Sequence, residues 1–186
     1  MEKIRRNLLC HSASYLYLCK AKYVEMMREF EIRTMVRVLQ ENELSSEDRK
    51  LISSAKEATN NSYSPYSHFK VGAALLLENN EIITGSNQEN AAYPVGCCAE
   101  RTALFWCKAN RPGINIKAIA IAARQNEDFT LSPIAPCGMC RQALIEVEHI
   151  QEESIRVLLY GQNGTYCTES IACLLPLTFG ADDLKG

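Results

Sequence analysis

Cys98-Ala99-Glu100 stands 39 residues ahead of Pro136-Cys137-Gly138-Met139-Cys140. A lone Cys-x-x-Cys says little. A third cysteine upstream, followed two residues later by a carboxylate, says much more. Three thiolates fill three tetrahedral positions around a zinc ion and leave the fourth for water, the open coordination of a catalytic site. Glu100 is then placed to carry that water's protons. A purely structural zinc clip needs a fourth Cys or His; none has suitable local spacing, and the clip would leave Glu100 without a role.

That chemistry makes demands on the elements around it. Zinc with three thiolates carries a net charge of −1, which weakens its power to acidify water. Helix N-termini favour the thiolate and offset part of the charge. Arg101 and Arg141, each next to a metal-binding residue, are expected to support the sulfurs from behind. Residues two apart in a regular helix diverge. Cys98 and Glu100 therefore reach one site only if a helix begins there and points its end at the metal.

The sequence supplies such helices. Cys98 to Ala109 and Gly138 to His149 read as helices that begin at the cysteines. Ser45, followed by Glu47 and Asp48, caps a third that runs to about Asn60. Val71 to Leu77 and Ile82 to Gly85 read as a hairpin around Asn79-Asn80. Lys117 to Ala123 reads as a strand buried on both faces. Ile155 to Tyr160 and Thr165 to Ser170 are two more strands, joined by Gly161-Gln162-Asn163-Gly164. This order of elements predicts an α/β layered fold. The acid-rich stretch Glu41 to Asp48 reads as a solvated linker and helix start.

The chain has 186 residues and a formal net charge of −2, from 20 basic and 22 acidic side chains. That balance lacks the basic field of a nucleic-acid binder. No run of about 18 apolar residues is present, so no membrane span is expected. Nine cysteines, an odd number, fit a reducing, cytoplasmic setting better than a disulfide framework. Cys97, Cys107, Cys167 and Cys173 read as small core residues. Residues 1–26 carry five basic and two acidic residues, leaving 15 and 20 for the rest. They read as an N-terminal extension, from a misplaced start or a loosely held helix, ahead of one catalytic domain over 27–186.

Four blocks, in this order, carry a family resemblance: Tyr66 to Ala74, Gly85 to Pro94, Cys98 to Ala103 and Pro136 to Gln142. Together they resemble the cytidine deaminase family, in particular its small homotetrameric, zinc-dependent branch. The likeness runs from about Ser45 to Leu184. It implies a three-layer α/β/α sandwich around a mixed sheet of about five strands. It implies hydrolytic deamination of cytidine and deoxycytidine to uridine and deoxyuridine, with release of ammonia, in pyrimidine salvage. It also implies roles that spacing alone does not give. Asn87 and Glu89 match residues that bind the ribose 3′-hydroxyl, and Phe69 matches an aromatic near the base. Ala99, through its backbone, and Glu100 match groups that read the pyrimidine edge. Tyr93 and Phe179 match residues at a subunit boundary, with Phe179 reaching a neighbour's pocket, so active sites are shared between subunits.

A buried amide and carboxylate paired with sugar hydroxyls reject ligands that lack those hydroxyls, which favours a nucleoside over the free base. No basic cluster near the blocks suits a 5′-phosphate. Three rival readings remain at the level of sequence. They are a drug-nucleoside deaminase of the blasticidin type, a polynucleotide editor, which the acidic balance disfavours, and a zinc-stabilised binding module without catalysis.

Overall fold

The apolar run around Ile119 alternates in size. In β4 (Ile116–Gln125) the side chains of Ala118, Ala120 and Ala122 face one layer, and those of Ile119 and Ile121 face the other. The alanine side lets a helix approach closely, and α1 (Ser46–Ala58) lies there through Leu51, Ile52 and Ala55. The isoleucine side meets α2 (Ala99–Asn110) through Ala103, Leu104 and Cys107, and α3 (Gly138–Gln151) through Leu144 and Ile145. The result is the three-layer α/β/α sandwich implied by the resemblance. The structure, a computed structural model, describes residues 29–185. The extension read over residues 1–26 lies outside them.

The remaining strands are β1 (Arg37–Leu39), β2 (Phe69–Leu77), β3 (Ile82–Ser86), β5 (Asp128–Phe129), β6 (Arg156–Leu159) and β7 (Thr165–Thr168). Their order across the sheet is β1-β7-β6-β4-β2-β3, with β5 added to the end of β4. Among the described strands only β4 and β6 run parallel, joined by the crossover through α3; every other pair is antiparallel. Among the described residues the sheet thus has seven strands where about five were expected. All five expected strands are present. The two others are the three-residue β1 at the edge and the two-residue β5.

Local expectations hold with small shifts. Ser45 caps α1 by accepting from the Asp48 N–H at 3.0 Å. The β2–β3 hairpin turns at Asn79-Asn80, where Asn80 takes the left-handed conformation, φ 65°. Asp48 is a correction: it is buried, not solvated, and both its oxygens accept from the Arg156 guanidinium of β6. That pair ties the first turn of α1 to the sheet. Cys107 and Cys167 are buried as expected, whereas Cys97 and Cys173 are only partly covered.

Candidate metal centre and active site

Cys98 and Cys137 are the N-caps of α2 and α3. Both have extended backbone torsions, and each carbonyl accepts the first helical hydrogen bond, from Thr102 and Arg141 at 3.0 Å. The helices therefore begin where the chemistry required. Cys98 escapes the helical spiral and Glu100, in the first turn, shares its site. Cys140 enters one turn into α3 and is fully buried.

The three sulfurs lie within 4.8 Å of one another. Cys98 Sγ is 3.8 Å from Cys137 Sγ, and Cys137 Sγ is 3.5 Å from Cys140 Sγ. A tetrahedron with zinc–sulfur bonds of about 2.3 Å has an edge of about 3.8 Å. The triad fits zinc in donor chemistry and in spacing. The Cys98 thiol is held down at about 5, chiefly by the hydrogen bond from Cys140, then by Arg101 and Cys137 against the upward push of burial. The same bond and burial push the Cys140 thiol upward. A divalent cation favours the thiolate at all three positions.

Glu100 is 4% exposed. Burial raises its carboxyl above the usual carboxylate range, reinforced by the Cys98 charge and opposed by bonds from its own N–H and the Cys140 thiol. Its carboxyl group thus faces the sulfur cluster. Arg101 brings Nη2 to 3.9 Å from Cys98 Sγ, and its buried Nε has no hydrogen-bond partner. Arg141 does something else: its guanidinium donates to the Pro136 and Leu174 carbonyls at 2.8 and 2.9 Å. It splints the loop before Cys137 to the C-terminal segment.

The helix carrying Cys98 and Glu100 is seated on a glycine. A Cβ on Gly85 would lie 2.5 Å from Ala103 N and 2.6 Å from Ala99 O. Only hydrogen at that position of β3 lets the first turn of α2 lie directly on the sheet.

Asn87, Glu89 and Phe69 gather beside this helix start. The Asn87 side-chain oxygen accepts from the Ser62 hydroxyl and the Val71 N–H, and its amide donates to the Phe69 carbonyl. An amide offers four bonds. Three are spoken for, and among the described residues one N–H is left over. Glu89 accepts from the Tyr66 and Ser67 backbone N–H groups and the Ser67 hydroxyl, which hold its carboxyl below the usual range, the hydroxyl most of all. It thereby folds the tight loop in which His68 adopts φ 56° and donates its N–H to the Ser64 carbonyl.

A small ladder, not anticipated from sequence, joins these residues to the metal ligands. Gln88 exchanges both backbone bonds with Cys97 at 2.8 Å, and on its other side Tyr63 bonds the Asn87 carbonyl and the Glu89 N–H. Asn87 and Glu89 flank Gln88, and Cys97 precedes Cys98. The period-two spacing of Asn87 and Glu89 was the available signal for an extended segment here.

Two residues stand apart. Tyr93 lies in an exposed 3-10 turn (Tyr93–Val95), edge-on to Tyr66 at 6.2 Å. Phe179 is 57% exposed and rests by the α3 surface of Gln142, Ala143 and Glu146, its carbonyl bonded by Gln142 Nε2 at 2.8 Å.

Residues 45–171 match the model of the zinc-binding region of cytidine and deoxycytidylate deaminases. A cytidine deaminase of Sporosarcina psychrophila is 43% identical over 137 residues, 73% of this chain and 93% of its own. A probable cytidine deaminase of Dictyostelium discoideum is 36% identical over 136 residues, 73% of this chain and 85% of its own. Among solved structures, the cytidine deaminase of Burkholderia pseudomallei superposes with a TM-score of 0.62 at 43% identity, over 70% of this chain and 98% of that one. That of Mycobacterium tuberculosis gives 0.56 at 27% identity, over 73% and 99%. With three sulfurs and a buried glutamate converging inside the matched region, the chain belongs to the family of zinc-binding cytidine and deoxycytidylate deaminases.

Proposed function

We propose that this protein hydrolyses cytidine and deoxycytidine to uridine and deoxyuridine, releasing ammonia. The observation that carries the reading is the buried Glu100 carboxyl turned toward three converging sulfurs at two helix N-termini. Zinc held by Cys98, Cys137 and Cys140 supplies a Lewis acid that makes water a nucleophile at neutral pH. Glu100 does the proton work. Burial makes its carboxylate a stronger base than usual, so it can take a proton from the attacking water and, as the carboxylic acid, hand it to the pyrimidine ring nitrogen. It then takes the second proton from the new hydroxyl group on the ring carbon and passes it to the amine, which departs as ammonia as the carbonyl forms. The Ala99 backbone and Glu100 orient the base edge, and Phe69 packs near it. The spare Asn87 N–H and the Glu89 carboxylate receive the ribose 3′-hydroxyl. Arg101 tempers the negative charge of the sulfurs, and Arg141 positions the ligand loop.

The exposure of Tyr93 and Phe179 supports a homotetramer in which both residues meet neighbouring subunits and Phe179 covers a neighbour's base. A reducing, cytoplasmic setting agrees with the free state of all seven cysteines among the described residues. No helix among those residues is long and apolar enough to cross a membrane.

An ultraviolet assay of cytidine loss, with and without a chelator, tests the reading. Turnover that depends on zinc is expected. Glu100→Gln is expected to retain zinc and lose about 10²–10⁴-fold in kcat, the usual weight of general acid–base catalysis. Wild-type turnover in that variant refutes the assignment of Glu100.

A further inference from the structure

The segment ahead of the family-matched region has a pattern the deaminase site does not use. From Phe30 to Leu39 the residues alternate: Phe30, Ile32, Thr34, Val36 and Val38 fall on one side, Glu31, Arg33, Met35, Arg37 and Leu39 on the other. This is the period-two signature of a strand about ten residues long. Only Arg37, Val38 and Leu39 are paired, with β7. Residues 29–36 form no helix or strand, and no backbone–backbone hydrogen bond is made by them among the described residues. Phe30 and Val38 are more than half exposed, and Ile32 and Val36 are exposed too. Thr34 fixes the segment in place by donating to the Cys173 carbonyl at 3.0 Å. A long, apolar, unpaired strand edge is a template for another strand.

We infer that residues 30–38 pair antiparallel with the same residues of a second copy of this chain, about a two-fold axis at Thr34. Charge and size select this register. With Thr34 opposite itself, Glu31 faces the copy's Arg37 and Arg37 faces the copy's Glu31. Ile32 meets Val36, Phe30 meets Val38, and Arg33 lies across from Met35. Moving the axis to Arg33 or Met35 puts Arg33 against Arg33 or against Arg37, and like charges directly opposite are destabilising. A two-fold interface must be self-complementary, and this register is. In the single chain Glu31 pairs with Arg33 at 3.1 Å and Arg37 with Glu169 at 2.9 Å, all exposed, so both charges remain accessible. The pairing would make one continuous sheet across two copies. It is separate from the contact proposed for Phe179.

Charge reversal in the full chain tests the inference. Glu31→Arg and Arg37→Glu, by sedimentation velocity, are each expected to halve the assembly mass, and the double reversal to restore it. An unchanged mass in both single variants overturns the proposal. Placing a photo-crosslinking residue at Val36 gives a direct reading. A covalent dimer joined at residues 30–34 supports the register, and a monomer or a link elsewhere refutes it. Cytidine turnover in the Glu31→Arg variant, followed in parallel, tells loss of this pairing from failure of the deaminase reading.

Discussion

Gly85→Ala should disable the site without touching a ligand. The added Cβ would sit 2.5 Å from Ala103 N, 2.6 Å from Ala99 O and 2.9 Å from Ala103 Cβ, where ordinary contact begins at 3.4 Å. Two of these neighbours are backbone atoms and cannot rotate aside. The first turn of α2 must retreat from β3 by the better part of an ångström. Cys98 and Glu100 move with it, while Cys137 and Cys140 stay on α3. A misplacement of about 1 Å costs on the order of 10²-fold in rate. Overpacking of this kind costs about 1–3 kcal/mol, a fall in melting temperature of roughly 2–12 °C for a chain of this length. The assay is kcat for cytidine alongside zinc content and thermal melting. Gly138→Ala is the control. Its Cβ meets nothing within 4 Å, so zinc content and melting temperature should be retained although the residue adjoins Cys137. Gly85→Ala with full zinc and a kcat within about twofold of wild type would refute the idea that this glycine seats the helix.

Glu148 is buried and accepts from Ile155 N–H, the Ser170 hydroxyl, Ile171 N–H and Ala172 N–H. Ala172 N–H also bonds the Ser170 hydroxyl at 3.0 Å, so Glu148→Ala leaves the other three donors unpaired at about 1–3 kcal/mol each, and urea unfolding should show a loss of at least about 3 kcal/mol; an unshifted midpoint contradicts this. Burial pushes the Cys167 thiol up to about 11 and raises that of Cys107. Iodoacetamide at pH 8 should therefore spare both in the folded protein and modify them in urea, and mass spectrometry showing rapid labelling of folded Cys167 would count against it.

The layered fold was legible because its strongest signals are local. The apolar run at Lys117 to Ala123, the Asn79-Asn80 turn and the Ser45 cap each declare themselves within a few residues. β1 did not, since its alternation ends an exposed stretch with apolar residues on both sides and its partner β7 lies more than a hundred residues away. The site divides similarly. Cys98, Glu100, Cys137 and Cys140 are readable because tetrahedral coordination and proton transfer restrict residue type and spacing. Asn87, Glu89 and Phe69 came only through resemblance, because a polar turn residue or a strand aromatic looks in sequence the same whether or not it meets a ligand. Asp48 shows the reverse limit. In an acidic stretch it reads as solvated, and only the distant Arg156 explains its burial. The adjacency of Arg141 to Cys140 suggested a bond to sulfur, yet its rotamer leads to two carbonyls, a choice that sequence proximity does not determine.

The two-way backbone exchange between Gln88 and Cys97 welds the segment proposed to receive the sugar to the segment that carries Cys98. Inserting or deleting a single residue between Asn87 and Glu89 would either break that exchange or turn one of the two proposed sugar contacts to the other side. Engineering a broader sugar range therefore has little room for changes of length here. Altered side chains along the Ser62 to Ser67 stretch, which leave the ladder's register alone, are the freer route.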